Sequence, residues 1–265
     1  MMRSRSLSLV FSVVVAMSVA SLVQARELRI VGTGDGVDLL EALAAEFTRA
    51  HPGQMIIVPP SIGSSGGIIA VGTETEILGR IARRLTESEK SQGLVETPLA
   101  RIPVGIFVHP SAGVKTLSAA QTVEVFQGKI HNWSEVGGRD VALRIVRRQP
   151  TDSNFVALRA GIPGWADLEI AQRSKLALTT TEMFDTVRST EGAIGFGPLS
   201  TVWAREVTYL GIDGQFPTDS GYRSVTALAL LHKTSTVTDA AKAFLAFAAT
   251  PRAKEVVRGI GGLAD

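Results

Sequence analysis

The pattern of apolar and polar residues along the chain predicts short strands that alternate with amphipathic helices. The segment ELRIVGTG is a β-rich run ending in glycines, and VDLLEALAAEFTRAHP then places Leu39, Leu43 and Phe47 on one helical face. Further strands are predicted in QMIIVPPS, EILGRIARRL, LVETPLARIPVGIFVHP, ALRIVRRQ, AIGFGPL and SVTALALLHK, with helices between several of them. This alternation is typical of an α/β protein with mostly parallel sheets.

The amino terminus has the features of a secretory signal peptide. Arg3 and Arg5 precede an uncharged run at residues 7–23, and Val23-Gln24-Ala25 has the small-x-small form of a cleavage site. An uncleaved membrane anchor is the alternative, because the run is just long enough to span a bilayer. We therefore expect residues 1–25 to be removed and the mature chain to be a soluble protein of the periplasm.

Charge and cysteine content exclude several classes of function. Without Arg3 and Arg5, the 27 basic residues fall to 25, which equals the number of acidic residues, so no basic character favours nucleic acid. The absence of cysteine excludes disulfides, thiolate metal sites and a cysteine nucleophile. The four histidines show no metal-ligand spacing. We expect neither a cofactor nor a metal.

A serine-glycine segment, SIGSSGGIIAVG at residues 61–72, follows a predicted strand. In open α/β sheets, ligands bind beyond the carboxyl ends of the strands, where helices present unpaired N–H groups. Glycine lets the backbone approach a ligand, and Ser64 and Ser65 can each donate a hydroxyl proton while capping the next helix. The segment therefore fits an anion site, and a serine-capped helix without a ligand is the alternative.

A second polar turn follows the strand in LRIVRRQPTDSNF. Neighbouring strand residues point to opposite faces, so only one of Arg147 and Arg148 can face a given cleft. A guanidinium is a rigid fork of donors that matches an oxyanion. Asp152, Ser153 and Asn154 are all good helix N-caps. A solvated rim is the alternative interpretation.

Four segments together resemble a known family. SIGSSGG, VFQGKIHNWSEVGG, LRIVRRQPTDSNF and STEGAIGF occur in the order seen in the periplasmic phosphate-binding proteins of phosphate ABC transporters. The Phe-x-Gly-Lys-Ile-x-x-Trp element at residues 126–133 is the most diagnostic of them. The resemblance implies a two-lobed (type II) periplasmic binding protein fold, with residues 26–105 and 224–265 in one lobe and 106–223 in the other. The hinge strands would lie at residues 103–108 and 225–231.

The resemblance also implies a set of ligand contacts. The family's first serine matches Ser64 and its arginine matches Arg148. The second loop, usually Gly-Ser-Gly-Thr, is Thr-Asp-Ser-Asn here, and the first turn has Gly36 and Val37 where the family has a hydroxyl and an aromatic ring. The expected ligand-binding residues are Thr33, Gly34, Gly36, Ser64, Ser65, Gly66, Arg148, Asp152, Ser153 and Asn154.

The largest departure from the family concerns a carboxylate. Ala82 stands at the position of the aspartate that accepts the proton of a protonated phosphate, which weakens selection for such a ligand. Asp152 would cap a helix, replace that aspartate, or indicate a ligand other than an oxyanion. Arg80 and Arg83 would add positive charge or lie in solvent.

Catalysis is not expected. Gly63-Ser64-Ser65-Gly66-Gly67 satisfies G-x-S-x-G, but the later histidines lack the context of a hydrolase. GTGDGV resembles a dinucleotide loop but lacks the final glycine. The sequence therefore predicts a monomeric binding protein that captures a small oxyanion, with phosphate first, for an ABC transporter permease. A membrane sensor kinase is the alternative partner.

Overall fold

The computed structural model describes residues 26–264, so the signal peptide predicted at residues 1–25 lies outside the described residues. The strands are β1 (Arg26–Gly32), β2 (Gln54–Ile57), β3 (Leu78–Ile81), β4 (Leu94–Val108), β5 (Thr116–Leu117), β6 (Arg144–Arg147), β7 (Lys175–Leu176), β8 (Ala193–Pro198), β9 (Thr208–Tyr209), β10 (Gly211–Ile212) and β11 (Val225–Lys233). The α-helices are α1 (Val37–Ala50), α2 (Gly63–Gly72), α3 (Glu87–Ser91), α4 (Ala119–Phe126), α5 (Ser153–Gly161), α6 (Thr180–Ser189), α7 (Asp239–Ala248) and α8 (Pro251–Gly259). The predicted α/β class is confirmed.

The main sheet is mixed, with the strand order β2-β1-β3-β11-β4-β8-β6-β7 and with β9 paired beside β4. β1 is parallel to β2 and β3, and β6 is parallel to β7 and β8. Between these parallel groups, β11 is antiparallel to β3 and β4, and β4 is antiparallel to β8. The segments that follow β1, β2 and β6 carry the residues that the sequence suggested for an anion site.

Two hydrophobic cores divide the chain. The members of one core fall within residues 28–102 and 228–257, and those of the other fall within residues 104–212. We call the parts around these cores lobe 1 and lobe 2. A smaller core beneath α2 belongs to the lobe 1 side of the sheet. Along β4, Ile102 belongs to the lobe 1 core and Val104 to the lobe 2 core. The lobe limits and the hinge given above stay predictions.

β4 and β11 join the two lobes. They pair from Val225 opposite Pro103 to Lys233 opposite Leu94, with an irregularity between Leu228 and Ala229. β4 then continues into lobe 2, where it pairs with β8. The two lobes are therefore connected by extended backbone in the same sheet.

Side-chain N-caps define the first residues of α5 and α6, the two helices that begin at the junction of the lobes. Asp152 precedes α5 and accepts hydrogen bonds from the backbone N–H groups of Asn154 and Phe155, so its predicted N-cap role is confirmed. Thr179 precedes α6 in the same way and accepts from the N–H of Glu182. Both helices thus begin at fixed positions in lobe 2.

Within residues 26–264, none of the helices combines the length and the apolar character that crossing a bilayer requires.

Candidate functional site

A cavity of about 640 Å³ lies between the lobes. Lobe 1 contributes the loops after β1, β2 and β3, and lobe 2 contributes the start of α5 and the residues before α6. β11 contributes Val225, Thr226 and Ala227. The remaining lining residues are Thr33, Gly34, Ser61, Gly63, Ser64, Ser65, Ala82, Arg83, Arg84, Arg148, Gln149, Thr151, Asp152, Ser153, Val156, Ala157, Ala160, Leu178 and Thr180.

Close backbone packing builds the lobe 1 wall. Gly32 has φ 139°, and a Cβ there would lie 2.0 Å from the carbonyl oxygen of Arg80. A Cβ on Gly67 would lie 2.9 Å from the Cα of Gly32, so α2 rests directly on the end of β1. Only glycine permits both approaches, because any side chain would meet backbone atoms. The serine-glycine segment is thereby held against the first strand.

Ser64 is tied to the loop after β3. Its Oγ accepts a hydrogen bond of 3.0 Å from the backbone N–H of Ala82. The prediction that Ser64 and Ser65 cap the helix is wrong: α2 begins at Gly63, with Ile62 at the N-cap position and no side-chain cap. Gly63 has φ 74°, which starts the helix one residue before the serines. Both serines therefore lie within the first turn and line the cavity.

Arg80 lies beneath the lobe 1 wall and is fully buried. Its guanidinium donates to three backbone carbonyls, through Nε to Thr33 at 2.6 Å, through Nη2 to Pro59 at 2.7 Å, and through Nη1 to Ile30. Burial lowers the pKa of Arg80 to about 10, so the side chain still carries its charge at neutral pH. Arg80 is a structural cation that fixes three loops and does not line the cavity.

Arg148 forms the charged part of the lobe 2 wall. Its Nε and Nη2 donate to Oδ2 of Asp152 at 3.0 and 2.7 Å, and its Nη1 donates to the carbonyl of Ala177 at 3.0 Å. The two side chains of the pair are only 12% and 8% exposed. Of the two adjacent arginines, Arg148 lines the cavity and Arg147, the last residue of β6, does not, in agreement with the expectation that only one of them faces the cleft.

Every arginine that lines the cavity has a carboxylate partner. Arg83 makes two hydrogen bonds to Glu89, at 2.9 and 2.8 Å, and Arg84 contacts Glu96 at 3.2 Å. With Arg148 paired to Asp152, the cations facing the cavity are each neutralised locally. The cavity wall combines hydroxyls and backbone with paired charges.

Asp35, which sequence reasoning did not single out, lies at the junction of the lobes. It is fully buried, and its carboxylate accepts hydrogen bonds from Ser153 Oγ at 3.1 Å, Asn154 Nδ2 at 3.0 Å and Thr180 Oγ1 at 3.2 Å. Thr180 was also missed. An aspartate flanked by glycines after the first strand resembles an ordinary turn residue, and no local signal distinguishes it.

Burial is the main cause of the raised pKa of Asp35. Desolvation raises the pKa of its carboxyl above the usual 3.8, the charge of Asp152 raises that pKa further, and the hydrogen bonds from Asn154, Ser153 and Thr180 oppose the rise. Arg80 is the cation that interacts with it electrostatically. Ionised Asp35 therefore reduces the stability of the fold relative to its neutral form.

Replacing Asp35 by asparagine is expected to raise the free energy of unfolding at pH 7.5 by more than the ~0.5 kcal/mol typical of surface changes. The wild-type pKa is raised in the folded state, so stability is lost as the pH rises through that pKa, and asparagine removes this loss. The gain should shrink as the pH falls below 3.8, the ordinary pKa of an aspartate, because Asp35 is then mostly protonated in the unfolded state as well. Urea unfolding at several pH values measures it, with the exposed Asp239→Asn as control.

The structure brings seven of the ten predicted ligand-binding residues to the cavity: Thr33, Gly34, Ser64, Ser65, Arg148, Asp152 and Ser153. Three others are not among its lining residues. Gly36 is the N-cap residue of α1 and lies against Leu228 and Ile102. Gly66 lies against Ile62, and Asn154 is buried with its amide on Asp35. Ala82 does line the cavity, at the position where the family resemblance places an aspartate.

Known proteins with similar sequences are phosphate-binding proteins. The phosphate-binding protein PstS of Bacillus subtilis (strain 168) is 30% identical over 197 residues, which cover 72% of this chain and 63% of that protein. The chain therefore spans less than two thirds of the length of this relative.

Solved structures give the same picture. A protein of Clostridium perfringens described as a phosphate ABC transporter substrate-binding protein, solved with bound phosphate, superposes with a TM-score of 0.78 at 25% identity. The superposition covers 91% of this chain and 100% of that chain. An ABC-type phosphate transport receptor from Vibrio cholerae, 22% identical, shares the fold with a TM-score of 0.62 over 91% of this chain and 100% of its own.

The predicted two-lobed binding protein fold and the resemblance to phosphate-binding proteins are thus confirmed. A family model described as PBP superfamily domain matches residues 19–252, which is most of the sequence. The chain belongs to the PBP superfamily.

Proposed function

We propose that this chain is a periplasmic solute-binding protein that captures phosphate in the cavity between its lobes and delivers it to an ABC transporter. One observation carries the proposal: Ser64 of lobe 1 and Arg148 of lobe 2 line the same cavity. Hydroxyls and a guanidinium that converge on one cavity suit a small oxyanion. The proposed role is binding, without chemical change of the ligand.

The relatives support phosphate as the ligand and an ABC transporter as the partner. The Bacillus subtilis relative is named for phosphate binding, and the Clostridium perfringens structure contains phosphate. The periplasmic location rests on the predicted signal peptide. The proposed contacts are hydroxyl donors from Thr33, Ser64 and Ser65 together with the guanidinium of Arg148.

Two features of the cavity favour a broader choice of ligand than in the phosphate-binding family. Ala82 offers no carboxylate to accept a ligand proton, and Asp152 already neutralises Arg148. Without that acceptor, nothing at this position penalises a fully ionised anion. We therefore propose that sulfate and other tetrahedral oxyanions compete with phosphate in this chain.

A thermal-shift screen of residues 26–265 against phosphate, sulfate, arsenate, molybdate and phosphonates tests the proposal. Phosphate at 100 times its dissociation constant is expected to stabilise the fold by about 2.7 kcal/mol, which raises the melting temperature by about 5–10 °C. Chloride at equal ionic strength is the control. If none of the oxyanions moved the melting temperature beyond chloride, the proposed function would be wrong, and strong rejection of sulfate would contradict the broader choice of ligand.

A further inference from the structure

The carboxylate of Asp35 connects the two lobes. Asp35 lies in the loop between β1 and α1 of lobe 1, whereas its three partners, Ser153, Asn154 and Thr180, begin helices of lobe 2. Asp35, Asn154 and Thr180 are at most 4% exposed, so the contact is closed to solvent. A single side chain of one lobe thus binds three donors of the other.

The partners suit an anion. Ser153 and Asn154 occupy the first two positions of α5, and Thr180 occupies the first position of α6, so both helix dipoles present their positive ends to this region. Asn154 and Thr180 donate to Oδ1 of Asp35, and Ser153 donates to Oδ2, so both oxygens of the carboxyl group accept. Lobe 2 therefore holds the carboxylate of lobe 1 much as it would hold an anionic ligand.

No cation of the described residues is hydrogen-bonded to this carboxylate. Arg80 is the cation that interacts with Asp35 electrostatically, and its guanidinium donates to the carbonyls of Ile30, Thr33 and Pro59. The binding of Asp35 therefore depends on the lobe 2 donors. Opening the cleft would break the three hydrogen bonds together, because they share one acceptor side chain.

We propose that Asp35 is an interlobe latch, defined by its carboxylate on Ser153, Asn154 and Thr180, which closes the cleft in the absence of ligand. The latch operates whether or not phosphate is the ligand, because its contacts are within the protein. Closure without ligand also raises the fraction of molecules in the binding-competent state.

Another hydrogen bond between the lobes lies away from Asp35. Asp38 accepts from Ser200 Oγ at 2.6 Å, and Ser200 follows Leu199, whose N–H donates to the carbonyl of Pro103. Pro103 lies where β4 passes from one core to the other. This bond is therefore close to the strands predicted to act as the hinge, where rotation of the lobes would displace atoms least, and it supplies a matched control for Asp35.

Spin-label distances in the ligand-free protein test the latch. The chain has no cysteine, so Ser88→Cys in lobe 1 and Arg173→Cys in lobe 2, both at exposed positions, give one defined label pair. Wild type is expected to show mainly one short distance, and Asp35→Ala should shift most of the population to a longer one. Asp38→Ala should leave the wild-type distribution in place.

Ser153→Ala combined with Thr180→Val removes donors from the other side and keeps Asp35 intact. This double variant should also shift the population to the longer distance, and it replaces Asp35→Ala if that variant does not fold. An unchanged distribution in the folded Asp35 or donor variants would overturn the latch, as would an equal opening in Asp38→Ala. Because no ligand is present, the outcome is separate from that of the oxyanion screen.

Discussion

Replacing Arg80 by methionine is expected to lower the free energy of unfolding by about 3–5 kcal/mol. The guanidinium is fully buried and donates to the carbonyls of Ile30, Thr33 and Pro59, so its loss leaves three acceptors without this donor. Methionine keeps much of the stem and introduces no competing donor. Urea unfolding at neutral pH, followed by circular dichroism, measures the change.

Arg84→Met is the matched control for Arg80→Met. The Arg84 side chain is 74% exposed and forms an ion pair with Glu96, so this variant should lose less than about 1 kcal/mol. A free energy of unfolding for Arg80→Met within 1 kcal/mol of wild type would show that water or rearranged backbone replaces the guanidinium.

Replacing Arg148 by alanine is expected to weaken phosphate binding at least about tenfold, because a charge-assisted contact is commonly worth about 1.5–3 kcal/mol. The same change leaves Asp152, whose side chain is 8% exposed, without its cation, so we also expect a loss of stability of about 2–4 kcal/mol. Titration calorimetry measures the first effect and urea unfolding the second.

Asp152→Asn separates the two roles of Arg148. Asparagine is also a good N-cap, so α5 should keep its start, while the Nε and Nη2 donors of Arg148 are released from the carboxylate. Phosphate affinity should therefore rise in this variant. Unchanged affinity in a folded Arg148→Ala protein would remove Arg148 from the proposed site.

The parts of the site that depend on local rules were predictable from the sequence. The opposite directions of neighbouring side chains indicated that only one of Arg147 and Arg148 faces the cleft, the family resemblance favoured Arg148, and Arg148 lines the cavity. The preference of aspartate for N-caps identified the role of Asp152 at α5. Both depend on neighbours within a few residues along the chain.

The parts that depend on distant neighbours were not predictable. Arg80 is buried because β3 lies between β1 and β11, and β11 comes some 150 residues later in the chain. Asp35 is buried by residues more than 100 positions away. Charged side chains are usually exposed, so a single sequence favours the wrong environment for both. The predicted start of α2 was wrong for a different reason. Gly63 has a positive φ and is itself the first residue of the helix, so the serines lie inside the first turn and do not precede it.

The glycine contacts of the lobe 1 wall restrict how this protein can be re-engineered. Side chains added at Gly32 or Gly67 would collide with backbone, and one at Gly34 would come within 2.8 Å of Thr180. By contrast, Val156, Ala157 and Ala160 face the same cavity from one helix and carry replaceable side chains. Directed evolution towards larger or more apolar solutes should consequently accumulate its substitutions on α5 and leave the glycine wall unchanged.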